Sequence, residues 1–138
     1  MTNLKPTRMI LIVGASGEIG GCICEAFHSI GEEVVATYSN PVSLSRESDQ
    51  SLHLDLADAL SIDHFIQMAK DRAYVFDIII FVSGFLPGMS PEEYDFPSVD
   101  KVMAINLSGP CKLLFGLLQN LKQDAKILFF SSISDAVK

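Results

Sequence analysis

An α/β fold is predicted for this chain, a doubly wound parallel sheet with helices on both faces, and three observations predict it. Short apolar runs alternate with stretches of helical period along the whole of the 138 residues. The runs are rich in Ile, Val, Leu and Phe, the composition of strands buried on both faces. A glycine-rich turn joins the first run directly to the first helical stretch. Such alternation implies parallel strands joined by right-handed crossovers. The length allows one domain, residues 1–138, and no second core. With 49% hydrophobic and 20% charged residues the chain can bury that core and stands far from disordered compositions.

Strands are read at Met9–Val13, Glu33–Thr37, Ser51–Leu54, Asp77–Val82 and Lys126–Phe130. After the first, Ile19, Ile23, Phe27 and Ile30 recur at helical spacing; before the fourth, Ile62, Phe65, Ile66 and Ala69 do the same, with Asp58 placed as N-cap. Tyr38–Gln50 carries Asn40-Pro41, four serines and no period, and reads as a loop or a short irregular helix. Phe85–Pro97, with three prolines, is a second loop. Both follow the carboxyl end of a strand, where ligands settle in open α/β sheets. The last long helix is placed at Val99–Leu121. Asn106 shares an apolar stripe there that runs from Val99 and Met103 to Leu113 and Leu117, and Pro110 has no N–H to give the Asn106 carbonyl four residues back. Two readings are open: an ordered water or polar network that satisfies side chain and carbonyl, or a proline kink with Asn106 satisfied by neighbouring backbone.

Ten Lys and Arg against 17 Asp and Glu give a formal charge of −7, which argues against nucleic-acid binding that neutralises many phosphates. The purest apolar runs, Met9–Val13 and Ile78–Val82, are far too short to cross a bilayer, and the N-terminus lacks a secretory h-region. A cytoplasmic protein without a membrane or nucleic-acid partner is expected. Cys22, Cys24 and Cys111 have neither metal nor redox spacing and are read as small core residues. His28, His53 and His64 share no spacing that would surround a metal, and no metal site is expected.

Val13-Gly14-Ala15-Ser16-Gly17-Glu18-Ile19-Gly20 follows the first strand and opens the first helix. Gly14 permits the tight turn, Gly17 lets the backbone approach a pyrophosphate, and Gly20 lets helix pack on strand. The helix N-terminus adds free N–H groups and positive partial charge. Gly14, Ser16, Gly17, Glu18, Ile19 and Gly20 are therefore the expected phosphate site of a dinucleotide, with the Glu18 side chain turned to solvent because its charge would repel the ligand. A merely structural turn is the competing reading. At the end of the second strand, where a carboxylate would take the ribose hydroxyls of NAD, stand Thr37, Tyr38, Ser39 and Asn40. With no carboxylate there, and Ser39, Ser43 and Arg46 at hand for a 2′-phosphate, NADP is favoured and NAD is the second choice. Glu32 and Glu33 would matter only if the strand were misregistered.

These residues resemble the short-chain dehydrogenase/reductase family over nearly the whole chain. The Gly14–Gly20 loop looks like that family's cofactor loop, in the spacing of its extended and atypical branches. Leu54-Asp55-Leu56 is similar to the segment whose Asp contacts adenine, and Phe81-Val82-Ser83-Gly84 stands where the family has Asn-Asn-Ala-Gly. Asn106 looks like the helical Asn whose carbonyl keeps a relay water, and Phe130-Ser131-Ser132 closes the fifth strand as the family's Ser segment does. The resemblance implies a Rossmann-like sheet of five strands in the order 3-2-1-4-5, incomplete at its C-terminal end. It implies Ser132 and Asn106 as catalytic residues, and Tyr38, Ser39, Asp55, Leu56, Val82, Ser83 and Gly84 as cofactor contacts beside the loop. The implied reaction is hydride transfer between a nicotinamide cofactor and a carbonyl or secondary alcohol.

Two departures limit that likeness. Phe81 and Val82 replace both Asn, so hydrogen bonds that stabilise the central strand in relatives are missing or moved. The family's Tyr-x-x-x-Lys follows the Ser on a further helix, whereas Tyr38, Tyr74 and Tyr94 are the only tyrosines here and none has a Lys four residues later. Reducing a carbonyl needs a proton donor as well as hydrogen bonds to the oxyanion, and Ser132 supplies only the second. The 138 residues are thus expected to be a coenzyme-binding half without turnover. The alternative is a non-catalytic NADP-binding sensor or scaffold module that meets a partner through the edge of the fifth strand. The Leu113–Leu118 stretch is apolar on more than one face and needs cover on two sides, from a second copy in a homo-oligomer or from further chain.

Overall fold

Apolar throughout, Met9–Val13 can only be stable with both faces covered, and it forms the central strand, β1. The computed structural model of the chain describes residues 6–40, 51–87, 90–93 and 95–131. The other strands are β2 (Glu33–Tyr38), β3 (Ser51–His53), β4 (Phe76–Phe81) and β5 (Leu121–Phe129), with helices α1 (Glu18–Ser29), α2 (Ala59–Asp71), α3 (Phe96–Met103) and α4 (Gly109–Gly116) between them. The strands are all parallel and lie in the order β3-β2-β1-β4-β5, as the sequence predicts. Leu11 stands opposite Val35 on one side and Ile79 on the other.

Side chains alternate between the two faces of a strand, so the sheet has two cores. Leu11, Val13, Val35 and Ile79 pack with Ile62 and Phe65 of α2 and with Leu113 of α4. Ile10, Ile12, Val34 and Ile80 pack on the other face with Ile23 and Phe27 of α1. Burying one such Leu or Ile fully contributes about 1.5–3 kcal/mol. Ile19 and Ile30, expected on the apolar face of α1, lie at its two ends and are exposed. Asp58 caps α2 as expected, its Oδ1 accepting the Leu60 N–H at 3.0 Å.

Several expectations need correction. The helix placed at Val99–Leu121 begins earlier, because Asp95 caps it through the Ser98 N–H and Pro97 occupies its first turn, where a missing N–H costs nothing. It is also interrupted. Ala104–Ser108 forms a π turn between α3 and α4, in which the Gly109 N–H donates to the Ala104 carbonyl five residues back. The extra residue rotates one half of the stripe away from the other, so Val99 and Met103 are exposed while Leu113 and Leu117 are buried. Asn106 is accordingly exposed rather than buried. The chain leaves α4 through a short 3₁₀ turn, Leu118–Asn120, and Leu121 already belongs to β5. Phe76 pairs with Leu121 and Ile78 with Lys126, so the intervening polar residues form an irregularity that an apolar-run criterion passes over. Unlike β1, β2 and β4, β5 is largely exposed, since it is the outer strand of the described sheet. Cys22 and Cys111 are exposed and only Cys24 is half-buried; burial pushes its thiol up. No helix among the described residues is long and apolar enough to cross a membrane.

Charged pairs fasten the amino-terminal rim of the sheet. Glu32, just before β2, accepts the Arg8 Nε and Nη2 donors at 2.8 and 2.6 Å and the Arg8 N–H at 2.7 Å. Asp77 of β4 accepts the Met9 N–H at 2.8 Å and the Lys122 Nζ at 2.6 Å. Burial pushes the Asp77 carboxyl up, but the bonds from Lys122 and Met9 outweigh it and leave the carboxyl below its ordinary value. A group depressed in the folded state stabilises the fold above its unfolded pKa and loses that contribution as pH falls through the folded value. The midpoint of thermal unfolding should therefore drop as the pH is lowered from about 5 toward 3. In Asp77→Asn the same scan should be flatter, and an unchanged slope would show that this carboxylate is not involved.

Candidate functional site

Where β1 ends, Gly14 takes a φ of +94°, a conformation that side chains disfavour, and a Cβ there would stand 2.7 Å from the Ser83 nitrogen. Its N–H donates to Thr37 Oγ1 at 3.2 Å, and the Thr37 hydroxyl donates in turn to the Ile12 carbonyl at 3.3 Å. The Ala15 N–H donates to the Thr37 carbonyl at 2.8 Å. Thr37, only 1% exposed, thus pins the turn from β2 and does not face a ligand. Gly17 is the N-cap of α1 and has no side chain with which to cap it. Among the described residues no acceptor meets the N–H groups of Ser16, Glu18, Ile19 or Gly20. A Cβ on Gly17 would find nothing nearer than the Gly14 carbonyl oxygen at 3.9 Å, whereas one on Gly20 would stand 2.8 Å from Ala15 Cα. The loop is therefore closed on its protein side and open on the other.

A cleft of about 410 Å³ lies along the carboxyl ends of the strands. Gly14, Ser16 and Gly17 line it from the loop, and Ser39 from the end of β2. Asp55 and Leu56 line it from beyond β3, and Val82, Ser83 and Gly84 from beyond β4. These nine are residues expected at the site. Five others stand elsewhere. Glu18 and Ile19 are exposed on the first turn of α1, as expected for the Glu18 side chain, and Gly20 is buried against the loop. Tyr38 sets its ring edge-on to His53, with centroids 5.9 Å apart. Asn106 lies behind Phe85. Ser132, Ser43 and Arg46 fall outside the described residues.

Each wall has its own support. The Asp55 N–H donates to Ser61 Oγ at 2.9 Å, and Asp55 Oδ1 accepts the Ala57 N–H at 2.8 Å, which fixes the turn after β3. Val82 and Ser83 both donate to the Val13 carbonyl, at 2.9 and 3.0 Å. Ser83 Oγ is buried and has no hydrogen-bond partner among the described residues. Phe81, in place of the Asn expected of relatives, is buried and stacks on Phe129 with centroids 4.5 Å apart, so an aromatic contact joins β4 to β5 at this level. Glu32 and Glu33 lie at the opposite end of β2, Glu33 in register with Met9, and are remote from Ser39.

Sequence reasoning missed five lining residues: Val13 and Leu54 at strand ends, and Phe85, Lys101 and Ile105. The Phe85 N–H donates to Asn106 Oδ1 at 2.8 Å, and Asn106 Nδ2 donates to the Phe85 carbonyl at 2.7 Å. Of the two readings open for Asn106, its side chain follows neither fully. Backbone satisfies it, but the backbone of the loop after β4 rather than of its own helix, and the helix carries a π turn where a kink was expected. Lys101, one turn before Ile105, sets its Nζ 4.5 Å from the Phe85 ring centroid. No group of three metal-binding side chains occurs among the described residues.

Comparison with known proteins gives this geometry a context. A family model described as short chain dehydrogenase matches residues 8–138. YxbG of Bacillus subtilis (strain 168), an uncharacterized oxidoreductase, is 27% identical over 140 residues, which take in 92% of this chain and 50% of that protein. The short chain dehydrogenase of Leptospira borgpetersenii serovar Hardjo-bovis, solved with bound NAD+, superposes with a TM-score of 0.81 at 22% identity and covers 99% of this chain and 58% of its own. A short-chain dehydrogenase/reductase of Burkholderia multivorans, solved with bound NADP, gives 0.77 at 22% identity over 96% of this chain and 64% of its own. The chain thus spans about half the length of the curated relative it matches.

The reciprocal bonds between Asn106 and Phe85 make a specific expectation. Asn106→Ala removes both and should destabilise the fold by about 1–2 kcal/mol. Amide hydrogen exchange should show the Phe85 N–H losing protection before its neighbours in β4 do. Equal protection of Phe85 in the two proteins would show that the clamp does not form.

Proposed function

The chain belongs to the short chain dehydrogenase family, and from that premise we propose that it is the coenzyme-binding half of an NAD(P)-dependent oxidoreductase. The observation that carries the proposal is the open side of the glycine loop, where Ser16, whose amide has no acceptor among the described residues, lines a cleft and Gly17 leaves space for a ligand atom. The residues present fit a dinucleotide. Unaccepted N–H groups at a helix N-terminus suit the diphosphate, and the buried, unpartnered Ser83 hydroxyl suits a polar ligand atom against β4. A carboxylate at Asp55 with one oxygen held in its own turn suits the adenine end.

The bound coenzyme would supply hydride transfer to a carbonyl, or from a secondary alcohol. This chain's part is to bind and orient it. The Ser16, Glu18, Ile19 and Gly20 amides take the diphosphate, Asp55 and Leu56 the adenine, and Val82, Ser83 and Gly84 the centre of the ligand. Ser132 would donate to the developing oxyanion, and Asn106, denied the N–H of Pro110, would keep its carbonyl for a water. NADP is preferred in this reading, because Ser39 lines the cleft where NAD would ask for a carboxylate and Glu32 and Glu33 lie at the far end of β2. A cytoplasmic setting, in which its unpaired thiols stay reduced, belongs to the same reading.

Titration with NADPH and NADH, read as a rise in melting temperature, tests the proposal. The larger rise should come with NADPH; equal rises would reject the coenzyme preference, and none with either would reject the dinucleotide. Gly17→Ala is the sharper probe. Its φ of −78° and ψ of 165° accept alanine, so the melting temperature should stay within a few degrees while affinity falls by roughly tenfold or more. A Gly17→Ala chain that binds as well as the parent would place the ligand elsewhere. With no Tyr-x-x-x-Lys among them, the 138 residues should bind coenzyme without turning it over. Oxidation of NADPH by the purified chain with a panel of carbonyl compounds would refute that.

A further inference from the structure

The charge balance of the cleft points to a residue that the family likeness does not. A dinucleotide brings two negative charges at its diphosphate, into a chain whose formal charge is −7. The N-terminus of α1 offers only about half a positive charge, and Glu18 on its first turn is itself negative. Asp55 adds another carboxylate to the cleft wall. Among the described lining residues, one cation opposes these charges: Lys101 of α3.

An exposed lysine normally sweeps a wide volume, but three features hold this one. Its Nζ lies 4.5 Å from the centre of the Phe85 ring, within the range of cation–π attraction. The Phe85 backbone is bound on both its polar groups by Asn106, at 2.8 and 2.7 Å, so the ring is carried on a fixed support. Lys101 and Asn106 belong to the same continuous helical stretch, with the π turn setting their relative direction. No carboxylate among the described residues pairs with Lys101, whose charge is therefore left for a ligand. Asn106 in this arrangement is a positioning residue that acts through Phe85.

We infer that Lys101 is the cleft's counter-charge to the diphosphate of a bound dinucleotide, held at the α3 side of the cleft by the Phe85 ring. The inference rests on the proposed coenzyme reading and adds to it a binding residue and an electrostatic mechanism. The ammonium and the α1 amides would flank the diphosphate from two sides, so part of the affinity should depend on ionic strength.

The test compares the parent chain with Lys101→Met, Lys101→Arg and Phe85→Leu by calorimetric titration with NADH and with NADPH, at low and at high KCl. Lys101→Met should weaken both ligands by a similar factor, roughly tenfold, and lose much of the salt dependence. Lys101→Arg should stay within about twofold of the parent. Phe85→Leu should weaken binding less than Lys101→Met, and salt should matter less than in the parent. The two Lys101 variants should melt within a few degrees of the parent, since Lys101 is exposed. Unchanged affinity in Lys101→Met would overturn the inference and leave the coenzyme reading standing. Loss confined to NADPH would overturn it too, by moving the contact to a 2′-phosphate. Failure of the parent to bind either coenzyme would remove both.

Discussion

Gly14 and Ser83 approach so closely that no β-carbon fits between them, and this contact is where β1, β2 and β4 are brought to one point. From β2 the Thr37 hydroxyl takes the Gly14 N–H, and from β4 the Val82 and Ser83 N–H groups converge on the Val13 carbonyl. The turn is thereby satisfied on every side that faces protein. What it leaves unsatisfied, among the described residues, are the amides of Ser16 and of the start of α1, beside the cleft that Ser16 and Gly17 line. Preorganisation of this kind matters because donors fixed beforehand lose little entropy when a ligand arrives.

On the other wall the organising feature is the π turn at Ala104–Ser108. Pro110 cannot donate within the helix, and Gly109 comes close enough to the turn after β3 that a Cβ on it would stand 2.9 Å from Leu56 Cβ. An extra residue in the turn reconciles these demands, and it redirects Asn106 out of the helical stripe to the loop after β4. The segment that follows β4 has no regular structure of its own, yet at Phe85 it is held by two hydrogen bonds to a single side chain.

Much of the fold could be read from the chain because its signals are local. β1, α1, α2 and β4 follow from apolar spacing, and Asp58 caps its helix as its residue type suggests. The glycine loop was readable because only glycine tolerates the φ of Gly14 and the crowding at Gly20. Less readable were features set by distant partners. The π turn depends on Leu56 as well as on Pro110, and the early start of β5 depends on a ladder with β4 that polar residues interrupt. Lys101 carried no signal at all: on a helical wheel it is an ordinary solvent-facing lysine, and only the fold shows what it faces. Thr37 stands at the strand end that the apolar pattern indicates, but its hydroxyl serves the neighbouring turn.

The ion pairs at the opposite rim have an evolutionary consequence. Arg8 with Glu32 and Lys122 with Asp77 tie the strands together at one end, while the residues that line the cleft sit at the other, a strand length away. Changes at Ser39, Asp55 or Phe85 need not disturb those fastenings. Drift in ligand preference is thus largely uncoupled from foldability, which leaves this architecture free to acquire new specificities by small steps.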